Sequence, residues 1–226
     1  MLILAIETAT SRQSVAVVKD AHVLAQFHCE AGRSHTATLV PAIRDLLASQ
    51  SLHVGDCDAF AVSIGPGSFT GLRVGLATVS AFRLVTDIPV VPVPTLEAMA
   101  WNLHNAALPI CPVLRARTGE VYWAVFQWIN NQLAQVVEDQ VGTVASMAAS
   151  IQEPTMVFGD GVVANQHELT ERLGVLHCNV PGEAMVTSAV SLASAAGPRF
   201  RDGKIGEPGM APRYIQLPAA VRNAKK

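Results

Sequence analysis

The chain begins with apolar runs that predict three consecutive strands. Residues 2–8 (LILAIET) are almost continuously apolar, which is typical of a buried strand. Residues 14–20 (SVAVVKD) predict a second strand, and residues 22–29 (HVLAQFHC), with partial alternation, predict a third. Asp20 and Ala21 would form the tight turn between the last two. We therefore expect an antiparallel meander at the start of the fold.

A helical period replaces the strand pattern in residues 34–50. Five apolar residues fall on one face of that helix: Leu39, Val40, Ile43, Leu46 and Leu47. Ser34 stands where a hydroxyl can cap the amino end of the helix. Pro41 removes one helical hydrogen bond, so we expect either a kink or a later start.

Strands and helices then alternate to the middle of the chain. Buried strands are predicted at residues 58–65 and 88–93. Helices are predicted at residues 70–85 and 95–106, the second one capped by Thr95. This half therefore reads as three strands followed by helix, strand, helix, strand and helix.

The second half repeats this order of elements without repeating the sequence. Strands are predicted at 108–116, 119–129 and 132–140, the last two joined by Asn130-Asn131, and at 155–160 and 175–180, with helices at 143–152, 165–174 and 187–196. Meanders continued by β–α crossovers predict an α/β fold of two lobes, each a mixed five-stranded sheet with helices. We place the two lobes at residues 1–106 and 107–226. We expect the Gly- and Pro-rich tail to run along the surface, and lobe one is the candidate surface on which it packs.

Composition narrows the possible functions. Half of the 226 residues are hydrophobic and 15% are charged, so the chain can bury a core. The net charge of −2 is unlike that of a free-standing nucleic-acid binder, which is usually basic. Any work on nucleic acid would therefore use a partner's positive surface.

The cysteines and the apolar segments indicate the cellular compartment in which the protein works. Cys29, Cys57, Cys111 and Cys178 form no C-x-x-C pair and no zinc-ligand spacing, which predicts free thiols in a reducing environment. The amino terminus lacks a basic region before its apolar run, and the longest uncharged stretch near the carboxyl end is shorter than the about 20 residues that span a bilayer. We expect a cytoplasmic protein without membrane contact and without a metal site.

The glycine-rich stretch Ser63–Ser80 (SIGPGSFTGLRVGLATVS) admits two interpretations. It follows a strand and opens a helix, which is where phosphates often bind. Its spacing fits neither the P-loop nor the dinucleotide fingerprint, and Pro66 has no N–H to donate. The amides of Gly67 and Ser68 remain candidate anion contacts.

The other interpretation is close packing of the helix. Gly71 and Gly75 are four residues apart, and Thr78 continues the low surface. Each glycine costs a helix about 1 kcal/mol relative to alanine, so a packing demand is indicated. The neighbour is either the chain's own sheet or the helix of a partner, with Arg73 at the rim of the contact.

Several motifs carry a family resemblance. The stretches LAIETATSRQSVAVV, SHTATLVPAI, GPGSFTGLRVGLATV, PVPTLEAMA and RTGEVYWAVF, in that order over the first 126 residues, resemble the TsaB family, also called YeaZ. FGDG and PRYI are weaker echoes in the remainder. The resemblance implies ribonuclease H-like lobes of the actin, sugar kinase and heat-shock ATPase superfamily, in agreement with the doubled element order.

The resemblance also implies a function. Such chains look like the non-catalytic, activating partner of TsaD in the complex that transfers threonylcarbamoyl to the adenosine beside the anticodon, in tRNAs that read codons beginning with A. A third subunit, TsaE, is an ATPase. The resemblance implies that a chain of this family contacts tRNA only as part of the complex. Pairing with TsaD, or with a second copy as a homodimer, would use the helices at 34–50 and 70–85. The implied partner-binding residues are His35, Leu39, Ile43, Gly71, Arg73, Gly75 and Thr78.

Departures from related enzymes argue against catalysis. The catalytic relative holds a metal with H-x-x-x-H on a helix, and here His35 is followed at the fourth position by Leu39. Kinases of this fold use an acidic residue and Gly-Thr after the first strand, where this chain has Glu7, Thr8 and Ala9. We predict no catalytic residue, no metal and no cofactor beyond a weak nucleotide at a partner interface.

Glu7, Thr8, Gly67 and Ser68 are the candidate contacts for such a nucleotide or anion. Arg115 stands where the family tends to have Asp, whereas Arg117 and Glu120 match it and suggest a structural ion pair.

The alternative function is a small ATPase or kinase of the same superfamily that uses the cleft between the lobes. Glu7 would hold magnesium, and Asp160 in FGDG is the candidate second carboxylate. This hypothesis predicts ATP turnover that disappears in Glu7→Ala. A peptidase is not indicated, because no serine lies in G-x-S-x-G.

Overall fold

The computed structural model describes residues 1–30, 35–117, 119–178 and 180–215, without the side chain of His35. Its strands are β1 Leu2–Glu7, β2 Arg12–Lys19, β3 His22–Glu30, β4 Ala59–Ser63, β5 Val90–Val93, β6 Ile110–Arg115, β7 Val121–Ile129, β8 Gln132–Gly142, β9 Thr155–Phe158 and β10 His177–Cys178. Its helices are α1 His35–Ser49, α2 Phe69–Thr86, α3 Thr95–Ala100, α4 Val144–Ala149, α5 Asp160–Ala164, α6 Gln166–Leu173 and α7 Ala189–Arg201. None of the helices in these ranges is long and apolar enough to cross a bilayer.

The described chain divides into two compact units. The first unit comprises Met1–Trp101 together with Thr187–Arg213, and the second comprises Asn102–Val186 with the described residues after Arg213. Each unit is built on one five-stranded mixed sheet, in the orders β3-β2-β1-β4-β5 and β10-β9-β6-β7-β8. The two predicted sheets are therefore confirmed.

Hairpin turns fix the antiparallel half of each sheet. Asp20 and Ala21 both have positive φ, of 47° and 69°, and Asn130 and Asn131 have φ of 49° and 63°. Two such residues form the two-residue turn that matches the twist of a hairpin. Both predicted turns are confirmed, and they set the antiparallel registers of β2 with β3 and of β7 with β8. The strands β1, β4 and β5 continue the first sheet in parallel.

The first sheet is covered on both faces. Alternate residues of β1 point to opposite sides, so Leu4 and Ile6 pack with α1 and α2, whereas Ile3 and Ala5 pack with α7. The buried face of α7 is mostly alanine, which allows this helix to lie close to the sheet. The first sheet is thus sandwiched between α1 and α2 on one side and α7 on the other.

The helix α1 differs from its prediction in two respects. Leu39 and Ile43 are buried as expected, but Val40 is 51% exposed and lies outside the core. Pro41 lies within the helix, which begins at His35 and not after the proline. Ser34, the predicted cap, lies outside the described residues.

The helix α3 is shorter than predicted. It ends at Ala100 and continues as one 3₁₀ turn to Leu103, instead of reaching residue 106. Pro94 is at the cap position and Thr95 is the first helical residue, so Thr95 does not cap the helix. The Thr95 amide instead donates to the carbonyl oxygen of Gly65 at 2.8 Å, which ties α3 to the glycine-rich loop.

The second unit also departs from its prediction at the carboxyl side. The strand expected at 155–160 ends at Phe158, and Asp160 begins α5. A β-carbon at Gly159 would overlap the carbonyl oxygen of Val113, so the backbone passes directly against β6 there. Among the described residues, the strand expected at 175–180 begins at His177 and includes Cys178, because a 3₁₀ turn occupies the residues before it.

The lobe boundary expected at residue 106 is not where the contacts divide. The helix α7 and the segment after it belong to the first unit, because they bond to its sheet. The Arg199 guanidinium donates to both carboxylate oxygens of Glu97, at 2.8 and 3.1 Å, and to the Pro92 carbonyl at 3.0 Å. Further on, the Arg213 amide donates to the Ile64 carbonyl at 2.7 Å.

Candidate docking face on the first unit

The glycine-rich loop is held by its own unit. Gly67 has φ of 155°, and a β-carbon there would overlap the carbonyl oxygen of Ala9. The Ser68 amide donates to that same oxygen at 2.7 Å, while the Ser68 hydroxyl accepts from the Gly71 amide at 3.2 Å and caps α2. The Ser68 amide, predicted as a candidate anion contact, is therefore engaged within the chain.

The glycines of α2 face inward. A β-carbon at Gly71 would overlap the carbonyl oxygen of Thr8, and one at Gly75 would lie 2.6 Å from the Thr8 hydroxyl. That hydroxyl donates to the Gly71 carbonyl at 2.8 Å. Thr8, which directly follows β1, therefore occupies the space beside the two glycines. Gly71 and Gly75, predicted as partner-binding residues, are buried, because the neighbour that needs the space is Thr8 of the same chain.

An apolar groove runs along the outer side of α1 and α2. Two adjoining cavities, of about 530 and 410 Å³, share Val40 as a lining residue. The first is lined by Val40, Ile43, Arg44, Leu47, Ala48, Ser51, Leu52, His53, Val54 and Phe82. The second is lined by Thr36, Leu39, Val40, Phe69, Thr70, Arg73, Val74, Ala77 and Thr78. We call these two cavities together the α1–α2 groove.

The predicted partner-binding residues take different places in this groove. Leu39 and Ile43 form its floor and also belong to the core, being 0% and 2% exposed. Arg73 lines the rim, with its guanidinium carbon 3.7 Å from the ring centre of Phe69 in a cation–π stack. Thr78 lines the wall and donates to the Val74 carbonyl at 2.8 Å. His35 begins α1, but its side chain lies outside the described residues.

The sequence pattern did not single out Val40, Phe69 and Ala77 as surface residues. All three line the groove, and Val40 and Ala77 are exposed. Val40 follows Leu39 directly, and adjacent helical residues are about 100° apart, so a five-residue apolar face extends past the edge of the buried stripe. An apolar stripe wider than the core requires is the signal that could have identified Val40.

Glu7 lies buried at the end of β1, with 1% of its surface exposed. One carboxylate oxygen, Oε1, accepts from the Ala9 amide at 2.6 Å and from the Ser63 hydroxyl at 3.0 Å. Burial raises the pKa of Glu7 to about 7, although both hydrogen bonds act to lower it. Thr8 is also fully buried. Neither side chain is presented to a nucleotide, which argues against the magnesium role that the kinase alternative assigns to Glu7.

Metal ligands and cysteine thiols are the other groups that could carry chemistry. In the described ranges, no three His, Cys, Asp or Glu side chains are grouped as a metal site would require. All four cysteines are free thiols, and burial raises the pKa of Cys57 to about 11 and that of Cys111 further. Such thiols are poor nucleophiles at neutral pH.

The second unit holds the Arg115 region. The predicted ion pair is confirmed: Arg117 donates to both carboxylate oxygens of Glu120, at 2.9 and 3.0 Å. The Arg115 amide donates to Asp160 at 2.9 Å, so Asp160 anchors the end of β6. Burial raises the pKa of Asp160, against the lowering effect of that bond.

Comparison with known proteins adds sequence relatives. The family model described as TsaD, tRNA N6-adenosine threonylcarbamoyltransferase, matches residues 29–189. The tRNA threonylcarbamoyladenosine biosynthesis protein TsaB of Escherichia coli K12 is 32% identical over 213 residues, which is 90% of this chain and 89% of that protein. The protein of the same name from Bacillus subtilis 168 is 30% identical over 177 residues, 77% of each chain.

Solved structures agree on the fold. YeaZ from Pseudomonas aeruginosa superposes with a TM-score of 0.76 at 24% identity, covering 95% of this chain and 99% of that one. The ethanolamine utilization protein EutJ from Carboxydothermus hydrogenoformans superposes with a TM-score of 0.54 at 12% identity, covering 86% and 90%. With the two five-stranded mixed sheets, these likenesses show that the chain has the α/β fold of YeaZ and EutJ.

Proposed function

The chain belongs to the TsaB (YeaZ) family, and from this premise we propose that it is a non-catalytic, activating subunit in tRNA threonylcarbamoyladenosine biosynthesis. It would bind TsaD, which transfers threonylcarbamoyl to the adenosine beside the anticodon of tRNAs that read codons beginning with A. In this proposal the chain provides a surface that stabilises the active conformation of TsaD, and TsaD catalyses the transfer.

The α1–α2 groove is the observation that carries this proposal. Its floor is part of the core and is therefore rigid, while Val40 and Ala77 present apolar surface to solvent. An apolar groove between two helices fits the apolar face of a third helix. Arg73 at its rim favours a partner helix that carries an acidic residue on its flank.

The residue at the position of the missing histidine supports a non-catalytic role. The catalytic relative needs a second histidine four residues after the first, and Leu39 occupies that position here. Leu39 is fully buried and packs in the core of the first unit. At this position the chain has a core residue in place of a metal ligand, which supports assigning it to the partner of the enzyme.

Other partners follow from the same proposal. TsaE and a second copy of this chain are candidate partners, and a nucleotide held weakly at the TsaD interface is the candidate ligand. The net charge of −2 supports contact with tRNA through the complex in place of direct binding. The same complex would place the chain in the cytoplasm.

Substitution in the groove tests the proposal. Val40→Asp puts a charge on the groove without opening the core, because this side chain is 51% exposed. We expect the affinity for TsaD from the same organism to fall about tenfold or more, as for a central interface residue. Size-exclusion chromatography with light scattering would measure the mixed complex, and circular dichroism would check the fold.

Val163→Asp is the matched control, since Val163 is a helical valine of the second unit with 66% exposure. It should leave TsaD binding unchanged. Equal binding by Val40→Asp and the wild type would contradict the groove as the docking site. Full transferase activity of TsaD alone would contradict the activating role.

A further inference from the structure

A chain of hydrogen bonds connects Glu7 to the start of α2. The Glu7 carboxylate accepts from the Ala9 amide, and the Ala9 carbonyl in turn accepts from the Ser68 amide. Ser68 caps α2, and Gly67 packs against Ala9 so closely that a β-carbon would not fit. The first turn of α2, which presents Phe69 to the α1–α2 groove, is therefore linked to Glu7 through the backbone of Ala9.

The surroundings of Glu7 contain hydroxyl groups and no described charge. Ser63 donates from β4, and Ser14 lies opposite Glu7 in the register of β2. Along β2 the first charged residue is Arg12, two positions beyond Ser14. The first half of α7, which packs on this face, carries no titratable residue, and its arginines Arg199 and Arg201 lie at its far end.

Ionisation of Glu7 thus places a charge in a buried site where its described hydrogen-bond partners are an amide and a hydroxyl. When Glu7 is neutral, one of its oxygens still accepts hydrogen bonds from Ala9 and Ser63. When Glu7 is ionised, the same two bonds remain, but the side chain carries a buried charge. An uncompensated buried ion favours any local opening that admits water. An opening that breaks the bond between Glu7 and the Ala9 amide releases the residue whose carbonyl holds the amide of Ser68.

We propose that Glu7 is a positioning residue for the α1–α2 groove: its neutral form holds Ala9 and the start of α2 in place, and its ionisation loosens them. The proposal rests on the proposed function only where it calls the groove a docking site. The positioning itself is a property of the isolated chain and can be measured without a partner.

The direction of the pH dependence follows from the pKa of Glu7. The closed site has a pKa of about 7, and an opened, hydrated site has the ordinary value of 4.5. Opening is therefore suppressed fully below pH 4.5 and becomes easier as the pH rises to about 7, by up to about tenfold per pH unit. Above pH 7 the opening equilibrium is flat.

Amide hydrogen exchange tests this in the isolated chain. We expect the protection factors of the Ala9, Ser68 and Gly71 amides, which correct for the intrinsic exchange rate, to fall between pH 5 and 7 in the wild type. Glu7→Gln retains an acceptor oxygen but cannot ionise, so its protection factors should not change with pH. The ¹³C shift of the Glu7 carboxyl carbon gives the pKa without any substitution.

Asp160→Asn is the matched control, because Asp160 is a partly buried carboxylate that accepts from a backbone amide in the second unit. It should leave the pH dependence at Ser68 as in the wild type. A Glu7 pKa near 4.5, or the same pH dependence in Glu7→Gln, would overturn the proposal.

Binding to TsaD then tests the link to the groove. We expect the wild type to bind more weakly at pH 7 than at pH 5.5 by a larger factor than Glu7→Gln does. Equal pH dependence of the two affinities would overturn the claim that Glu7 controls docking, whereas the exchange data decide its positioning role in the isolated chain. Failure of the proposed function is a different result, namely that Val40→Asp binds TsaD normally, and it leaves the exchange measurements unaffected.

Discussion

At the scale of single residues, the glycines of α2 show how one sequence feature fits two structures. Small residues four apart specify that something approaches closely, but they do not specify what. In the fold the neighbour is Thr8, whose atoms lie where the β-carbons of Gly71 and Gly75 would be. The spacing therefore predicted close packing correctly, and only the three-dimensional position of β1 could identify the neighbour.

The substitution Gly71→Ala separates the contact with Thr8 from helix propensity, because the two change the unfolding free energy in opposite directions. Propensity alone would stabilise α2 by about 1 kcal/mol. The overlap with the Thr8 carbonyl is with backbone, which cannot rotate away, so we expect a net loss of about 1–3 kcal/mol of unfolding free energy. Urea denaturation followed by circular dichroism would measure it.

Gly55→Ala is the control for that measurement. Gly55 lies in the 3₁₀ turn Val54–Asp56, and a β-carbon there would meet no other atom within 4 Å. Its substitution should change the unfolding free energy by less than about 0.5 kcal/mol. A stabilised Gly71→Ala would show that α2 can move away from β1, and the inward assignment of the glycines would then be wrong.

At the scale of elements, the sequence was sufficient to predict a conformation where that conformation depends only on the residues of the segment itself. The turns at Asp20-Ala21 and Asn130-Asn131 were predictable because the strands on both sides leave only two residues for each. The extent of α3 was not, because its end depends on where the chain must turn after Ala100. The predicted partner-binding residues differ in the same way: Arg73 lies at the rim of the groove, whereas Leu39 forms its buried floor.

The attachment of α7 to its sheet depends on Arg199. Its guanidinium is about four-fifths buried and bonds Glu97 and the Pro92 carbonyl at once. Arg199→Lys keeps the charge but loses the planar fork that makes these bonds together. We expect a loss of about 1–3 kcal/mol of unfolding free energy, measured by urea denaturation.

Arg172→Lys provides the comparison for Arg199→Lys. Arg172 donates to Glu168 at 2.8 Å on the surface of α6, with both side chains more than two-fifths exposed. Such a pair contributes about 0–1 kcal/mol, so its substitution should have little effect. Equal losses in the two variants would mean that burial gives the Arg199 bonds no additional strength.

At the scale of the whole molecule, the first unit is assembled from both ends of the chain. The strands β1, β2 and β4 present Ile3, Ala16 and Ala61 on the face that α7 covers. The sequence indicated α7 as a helix, but its alanine-rich face fits the flat side of either sheet. The boundary at residue 106 followed from element order alone, and order does not record which sheet a final helix joins.

A truncated chain tests this assembly. Ending the chain at Val186 removes α7 and exposes the face that holds Ile3, so we expect the first unit to lose its cooperative unfolding transition. A chain that ends at Ile215 keeps the described contacts of α7 and serves as the control. Had the boundary lain at residue 106, the first lobe would stay folded without α7. A first unit that still unfolds cooperatively after truncation would therefore restore that boundary and make α7 an accessory to the fold.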